Sequence, residues 1–244
     1  MRKIFIGSTI ILMVFSRISN AGILDNMLEG IKSLEVPSQS TGSITDDTKL
    51  ISGLKEALSI GTQNAVESVS KSDGYFGNQA IKILMPEKLQ KVADVLSRVG
   101  YQKEVDDFTL SMNRAAENAA PKAAPIFMDA VKAMSFEDAR KILNGGNTAA
   151  TEYFKSKTFT SLYDTSKPII SESINQVGVT QKYKEMMGKY ETIPFVPKES
   201  LDIDHYVTNK ALDGLFYMLG EEEKKIRTEP AAQVTQLLKD VFGK

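Results

Sequence analysis

The chain has 244 residues, with 30 basic against 31 acidic side chains, one histidine and no cysteine. A near-neutral charge argues against a nucleic-acid binder, and the lack of cysteine excludes thiol catalysis, thiolate metal sites and disulfide exchange. A single domain of this size hides roughly 70% or more of its unfolded surface, so an apolar core can hold it without cross-links.

Arg2 and Lys3 precede an uncharged apolar run from Ile4 to Phe15, and Ser19-Asn20-Ala21 follows as a small-x-small cleavage site. This is the pattern of a secretory signal peptide over residues 1–21, and it predicts a periplasmic mature chain beginning at Gly22. The run is too short to span a bilayer, which takes roughly 20 residues, so no transmembrane helix is expected in the mature chain. Without Arg2, Lys3 and Arg17 the formal charge becomes about −4.

From Gly22 to Glu35, Ile23, Leu24, Met27, Leu28, Ile31 and Leu34 fall at helical spacing, which predicts a short amphipathic helix. Val36 to Ser43 reads as a link, so residues 22–44 form an N-terminal helix and linker and residues 45–244 a helical domain. A helix this short is marginal alone in water, so residues 22–35 are also the expected place for a peripheral membrane or partner contact.

Thr45 is placed to cap a helix reaching Ser70, with Leu50, Ile51, Leu54, Leu58, Ala65, Val66 and Val69 as its apolar stripe. Lys71 to Asn78, with Asp73-Gly74 and Gly77-Asn78, is a loop, and Ile81 to Ile83 an extended connection without an obvious strand partner. Pro86 opens a helix that carries Leu89, Val92, Ala93, Leu96 and Val99 and stops at Gly100. The next starts near Val105, with Phe108, Met112, Ala116 and Ala119 on its stripe; Pro121 and Pro125 break or bend it into a helix holding Ile126, Phe127, Ala130 and Val131.

Ser135 with Asp138 resembles a capping box, opening a short helix that ends at Asn144-Gly145-Gly146, and Thr148 is placed to cap the next one. Thr158 to Val177 is helical in pattern, with a kink or break expected before Pro168, and Gly178 ends it. Thr180 to Gly188 is a further short helix, and Ile193 to Pro197 an extended connection. Asp202 starts the most strongly patterned helix, expected to be central, with Val207, Ala211, Leu212, Leu215, Phe216, Met218 and Leu219. A charged extension, Glu221 to Arg227, reads as a solvated face, and Thr228 with Pro230 opens a last helix. The expected fold is all-α, one domain of eight to ten helices with no substantial sheet.

The runs Met112 to Glu117, Pro125-Ile126-Phe127, Asp138 to Leu143, Gly145-Gly146, Ala149 to Phe154, Tyr206-Val207-Thr208, Ala211 to Phe216, Glu221 to Arg227 and Leu237 to Gly243 carry a resemblance. Over nearly the whole mature chain they resemble the exported bacterial family known as domain of unknown function 4197. The resemblance implies an exported, mainly helical protein and supplies no catalytic residue. Asn113, Arg114, Glu117, Arg140 and Arg227 lie in these runs and are the ligand-binding candidates, because arginine suits bidentate contact with carboxylate or phosphate. An i,i+3 surface pair or a bridge to another helix is the competing reading for Arg114 and Glu117.

No other motif specifies a reaction. His205, beside Asp202 and Asp204, sits at a helix start where carboxylates cap, and neither a second histidine nor G-x-S-x-G is present. Asn144 to Thr148 reads as one helix end joined to the next helix start rather than a phosphate cradle, and Met112, Met128, Met134, Met186, Met187 and Met218 as core filler. No catalytic residue, metal or cofactor is therefore assigned. A binding or scaffolding protein of the cell envelope is the reading the sequence supports, its partner an envelope protein or an apolar ligand. The alternatives are a carrier of an apolar small molecule, or an envelope hydrolase whose carboxylates, such as Glu117, Asp138 and Glu152, converge only in the fold.

Overall fold

In a computed structural model, the residues described are 41–176, 179–192 and 202–229, with 232, 233, 235 and 239 beyond them. By their internal contacts the residues divide into two units, Met1–Ser43 and Ile44–Lys244. The helices are α1 Thr41–Ser70, α2 Glu87–Arg98, α3 Gln102–Ala119, α4 Ala123–Ala133, α5 Phe136–Leu143, α6 Ala149–Gln176, α7 Val179–Glu191 and α8 Ile203–Thr228, and no strand occurs among the described residues. The amphipathic segment Gly22–Glu35, the connection at 193–197 and most of the last expected helix lie outside the described residues.

The all-α class is as expected, but the helix count is not. One 3₁₀ turn, Ala120–Lys122, joins α3 to α4, so residues 102–133 form one continuous helical segment and the described residues hold seven segments rather than eight to ten. Pro121 sits in that 3₁₀ piece, where the local departure from α-helical pairing accommodates a residue that has no amide hydrogen. Pro168 does not break α6 either: both Pro168 and Asp164, whose carbonyl it leaves without a donor, face solvent, where water can satisfy that group. At the other end α1 begins at Thr41, ahead of the expected cap at Thr45, because adding residues to a formed helix avoids a new nucleation cost.

The hub is α6, which packs against α3, α4, α5, α7 and α8, rather than α8 alone. Its buried residues Ala150, Phe154, Thr158, Leu162, Ser166, Ile170 and Ile174 recur every fourth position, a line that drifts by about 40° per step and so winds around the helix past its several neighbours. Two of these are polar, which hides the stripe in a hydropathy reading; the Thr158 hydroxyl donates to the Phe154 carbonyl at 2.7 Å. Opposite, α8 buries Val207, Ala211, Leu212, Leu215, Phe216, Leu219 and Ile226. The Phe216 ring stacks on Phe159 with centroids 6.4 Å apart and meets Phe127 edge-on at 5.9 Å. Met112, Met134, Met186 and Met187 are core residues, and Ala115, Ala116, Ala119, Ala120 and Ala123 are buried as close packing between helices.

Local signals act where expected. Gly100 ends α2 at a φ of 94°, a conformation costly for a residue with a Cβ. Ser135 and Asp138 close a reciprocal capping box on α5, and the Ser135 hydroxyl and then its amide hold the Asp138 carboxyl below its ordinary range. Gly214 lets α8 approach the 71–83 connection: a Cβ there would stand 2.7 Å from Tyr75 Cε1 and 3.1 Å from Ile81 Cβ. Gly214→Ala is therefore expected to destabilise by about 1–3 kcal/mol through overpacking, despite alanine's better helix propensity. A urea midpoint at or above the parent's would show that Tyr75 yields freely.

Candidate functional site

The family-motif residues of α3 clamp the connection between α1 and α2. Asn113 is fully buried; its Oδ1 accepts from the Ile83 amide at 2.8 Å, and its Nδ2 donates to the Ile83 carbonyl at 2.8 Å and to Thr109 O at 2.8 Å. One side-chain amide thus replaces the neighbouring strand that the extended segment lacks, and leaves no buried backbone group of Ile83 unpaired.

One turn further on, Glu117 is 3% exposed, and its Oε1 accepts the amides of Tyr75 and Phe76 at 3.1 and 3.2 Å. Its Oε2 pairs with Arg114 Nη1 at 2.6 Å, and Arg114 Nη2 reaches Asp73 Oδ1 at 2.7 Å. Hydrogen bonding to Glu117, then to Asp73, raises the proton affinity of the Arg114 guanidinium. Asp73 itself holds a φ of 64°, so the ion pair anchors a turn residue in the left-handed region. Tyr75, beneath this turn, donates its hydroxyl to Ala211 O at 2.7 Å; burial and then the Glu117 charge keep that phenol protonated far above its usual range. The pair is thus a bridge to the 71–78 turn with one member buried.

A second carboxylate of the same kind lies elsewhere in the unit. Glu223 on α8, 6% exposed, accepts the Ala150 amide at 2.9 Å and the Thr151 amide and hydroxyl at 2.8 and 2.9 Å. Arg227, one turn on, donates to Glu223 Oε1 from Nε at 3.0 Å and Nη2 at 2.9 Å, and Nη2 also reaches Ile142 O at 2.9 Å. Glu223 therefore caps the N-terminus of α6 while Arg227 takes a carbonyl at the end of α5, tying three helices at one point. This corrects the solvated-face reading for Glu223. The positive end of α6 is occupied by the chain's own carboxylate, so the Asn144–Thr148 connection has no free amide cradle there.

Sequence reasoning named Arg227 but not Glu223, although a signal was present. Glu223 falls on the apolar line Leu212, Leu215, Leu219 and Ile226, where a charge at helical spacing has to meet a partner. Arg140, the remaining candidate, lies with its guanidinium 4.9 Å from the Phe136 ring on α5. The five candidates thus divide into Asn113, Arg114 and Glu117 on α3, Arg140 on α5, and Arg227 on α8.

Asp202, Asp204 and His205 have local partners. Asp202 accepts the His205 amide at 2.9 Å as the N-cap of α8; Asp204 accepts the Ser171 hydroxyl at 2.6 Å; His205 Nδ1 faces the Tyr163 hydroxyl at 2.7 Å. No cluster of three or more potential metal-binding side chains occurs among the described residues. Asp138 and Glu152 line one open cleft of about 470 Å³ with Lys141, Tyr153 and Ser156, and Glu117 does not belong to it. A small apolar cavity of about 20 Å³ between Leu54, Leu58, Leu219 and Ile226 has room for no more than one water.

These features define an all-helical domain whose motif residues bind its own backbone. The chain belongs to the family described as Protein of unknown function (DUF4197), whose model matches residues 44–243. No curated protein and no solved structure matches it.

Proposed function

We propose that the chain is a periplasmic binding or scaffolding protein of the cell envelope, exported through a cleaved signal peptide and working without catalysis. The observation that carries this reading is the engagement of Asn113, Arg114, Glu117, Glu223 and Arg227 by backbone groups and by one another. Residues held this way position segments of the fold, which leaves surface recognition as the role supported. The carrier reading draws little support from a cavity of about 20 Å³, and Asp138, tied into its capping box with a lowered proton affinity, is poorly suited to general-acid work. No helix among the described residues is long and apolar enough to cross a membrane; residues 22–35 are the proposed place for a peripheral membrane contact.

Two measurements test the proposal. Intact mass of the envelope fraction is expected to show a chain beginning at Gly22; a cytoplasmic chain, or an exported one that keeps residues 1–21, overturns the export step. Photocrosslinking from exposed helix positions in living cells is expected to give discrete protein adducts. A small apolar molecule retained in native mass spectra, with no such adduct, would favour the carrier instead.

A further inference from the structure

The helix α2 has a divided outer surface. At 100° per residue, Lys88, Lys91, Val95 and Arg98 share one flank, while Glu87, Gln90 and Asp94 share the other. The cationic flank borders an open cleft of about 430 Å³ that Val95 also lines, with Asp94 as its one carboxylate and the buried Val92 and, across on α7, Tyr190 behind its wall. Lys88, Lys91 and Arg98 make no ion pair among the described residues, whereas Lys103, Lys141 and Lys225 each hold a carboxylate of their own helix. Leu84 and Val99, 61% and 53% exposed, flank α2 at its two ends.

We infer that this cleft binds an acidic segment of a partner polypeptide that also carries an apolar side chain. The inference rests on the binding-protein reading above and gives it a surface. From Lys88 to Arg98 the cations extend over about 15 Å of helix, too far for one carboxylate or phosphate head to meet them all. The ligand must present several negative groups along its length, which a peptide does and a single-headed amphiphile does not. Apolar surface on the same flank distinguishes such a peptide from a bare polyanion, because half-buried Val95 and exposed Val99, one turn on, gain from covering a hydrocarbon side chain and nothing from phosphate. The surface is concave, suiting an inserted segment better than the plane of a bilayer. On a mature chain with a formal charge of about −4, three unpaired cations in one groove also select for an acidic partner over a basic one.

The test is fluorescence anisotropy of a labelled hexapeptide of glutamate and leucine against the full chain from Gly22, at low salt and at high salt. Saturable binding is expected, weakened by salt and by about tenfold or more in Lys91→Glu/Arg98→Glu, with Asp94→Asn tightening it and Lys155→Glu leaving it unchanged. Both reversed cations are solvent-exposed, and an unchanged melting curve confirms that the variant folds. Val95→Asp is expected to weaken binding of the leucine peptide more than that of an all-glutamate peptide. Absent saturable binding, equal affinity in the double variant, or equal binding of inorganic polyphosphate overturns the inference. So does flotation with phosphatidylglycerol vesicles that the peptide fails to compete. Photocrosslinks to a protein from other faces, with none from this cleft, would end the inference and leave the binding-protein reading standing.

Discussion

Glu223→Ala is expected to lower the unfolding free energy by about 3–5 kcal/mol, the cost of removing one member of a buried charged pair. The substitution strips the acceptor from the Ala150 and Thr151 amides and from the Thr151 hydroxyl, all within 2.9 Å of it. It also removes the carboxylate that accepts from Nε and Nη2 of the Arg227 guanidinium, whose side chain is 11% exposed. Glu223→Gln retains an acceptor for the amides and should fall between parent and alanine variant. Glu221→Ala, which lacks any such partners, serves as the control. Urea midpoints decide: if Glu223→Ala unfolds with Glu221→Ala, the carboxylate does not hold the start of α6.

Phe216→Ala is expected to cost about 3–5 kcal/mol, and Leu215→Ala about 2–5 kcal/mol. Phe216 is 4% exposed and fills the space between Phe127 and Phe159, so its loss leaves a void bounded by aromatic rings that cannot close in without leaving their own contacts. Leu215, 2% exposed, loses the same transfer free energy with a smaller void. Lys224→Ala supplies the exposed comparison. Glu222 does not, since its carboxylate meets Lys225 at 2.6 Å and Asn64 at 3.2 Å. Midpoints for Phe216→Ala near that of Lys224→Ala would mean that the aromatic cluster is not a unit of the core.

The amino-acid sequence by itself determined the features that depend on neighbours within one or two turns. The Ser135–Asp138 capping box, the stop at Gly100, the cap at Asp202 and the apolar stripes of α2, α3 and α8 are set by side chains three and four residues apart and by a single backbone dihedral, so periodicity displays them directly. Tertiary structure alone decided the rest. The α6 stripe is hidden because Thr158 and Ser166 stand in it, and the helix becomes the hub only when neighbours cover those positions. The roles of Asn113 and Glu117 need the backbone of the 75–83 connection, and that of Glu223 needs amides more than 70 positions earlier. A buried polar side chain is specified by whatever distant backbone group it satisfies, and hydropathy patterns carry no record of that partner.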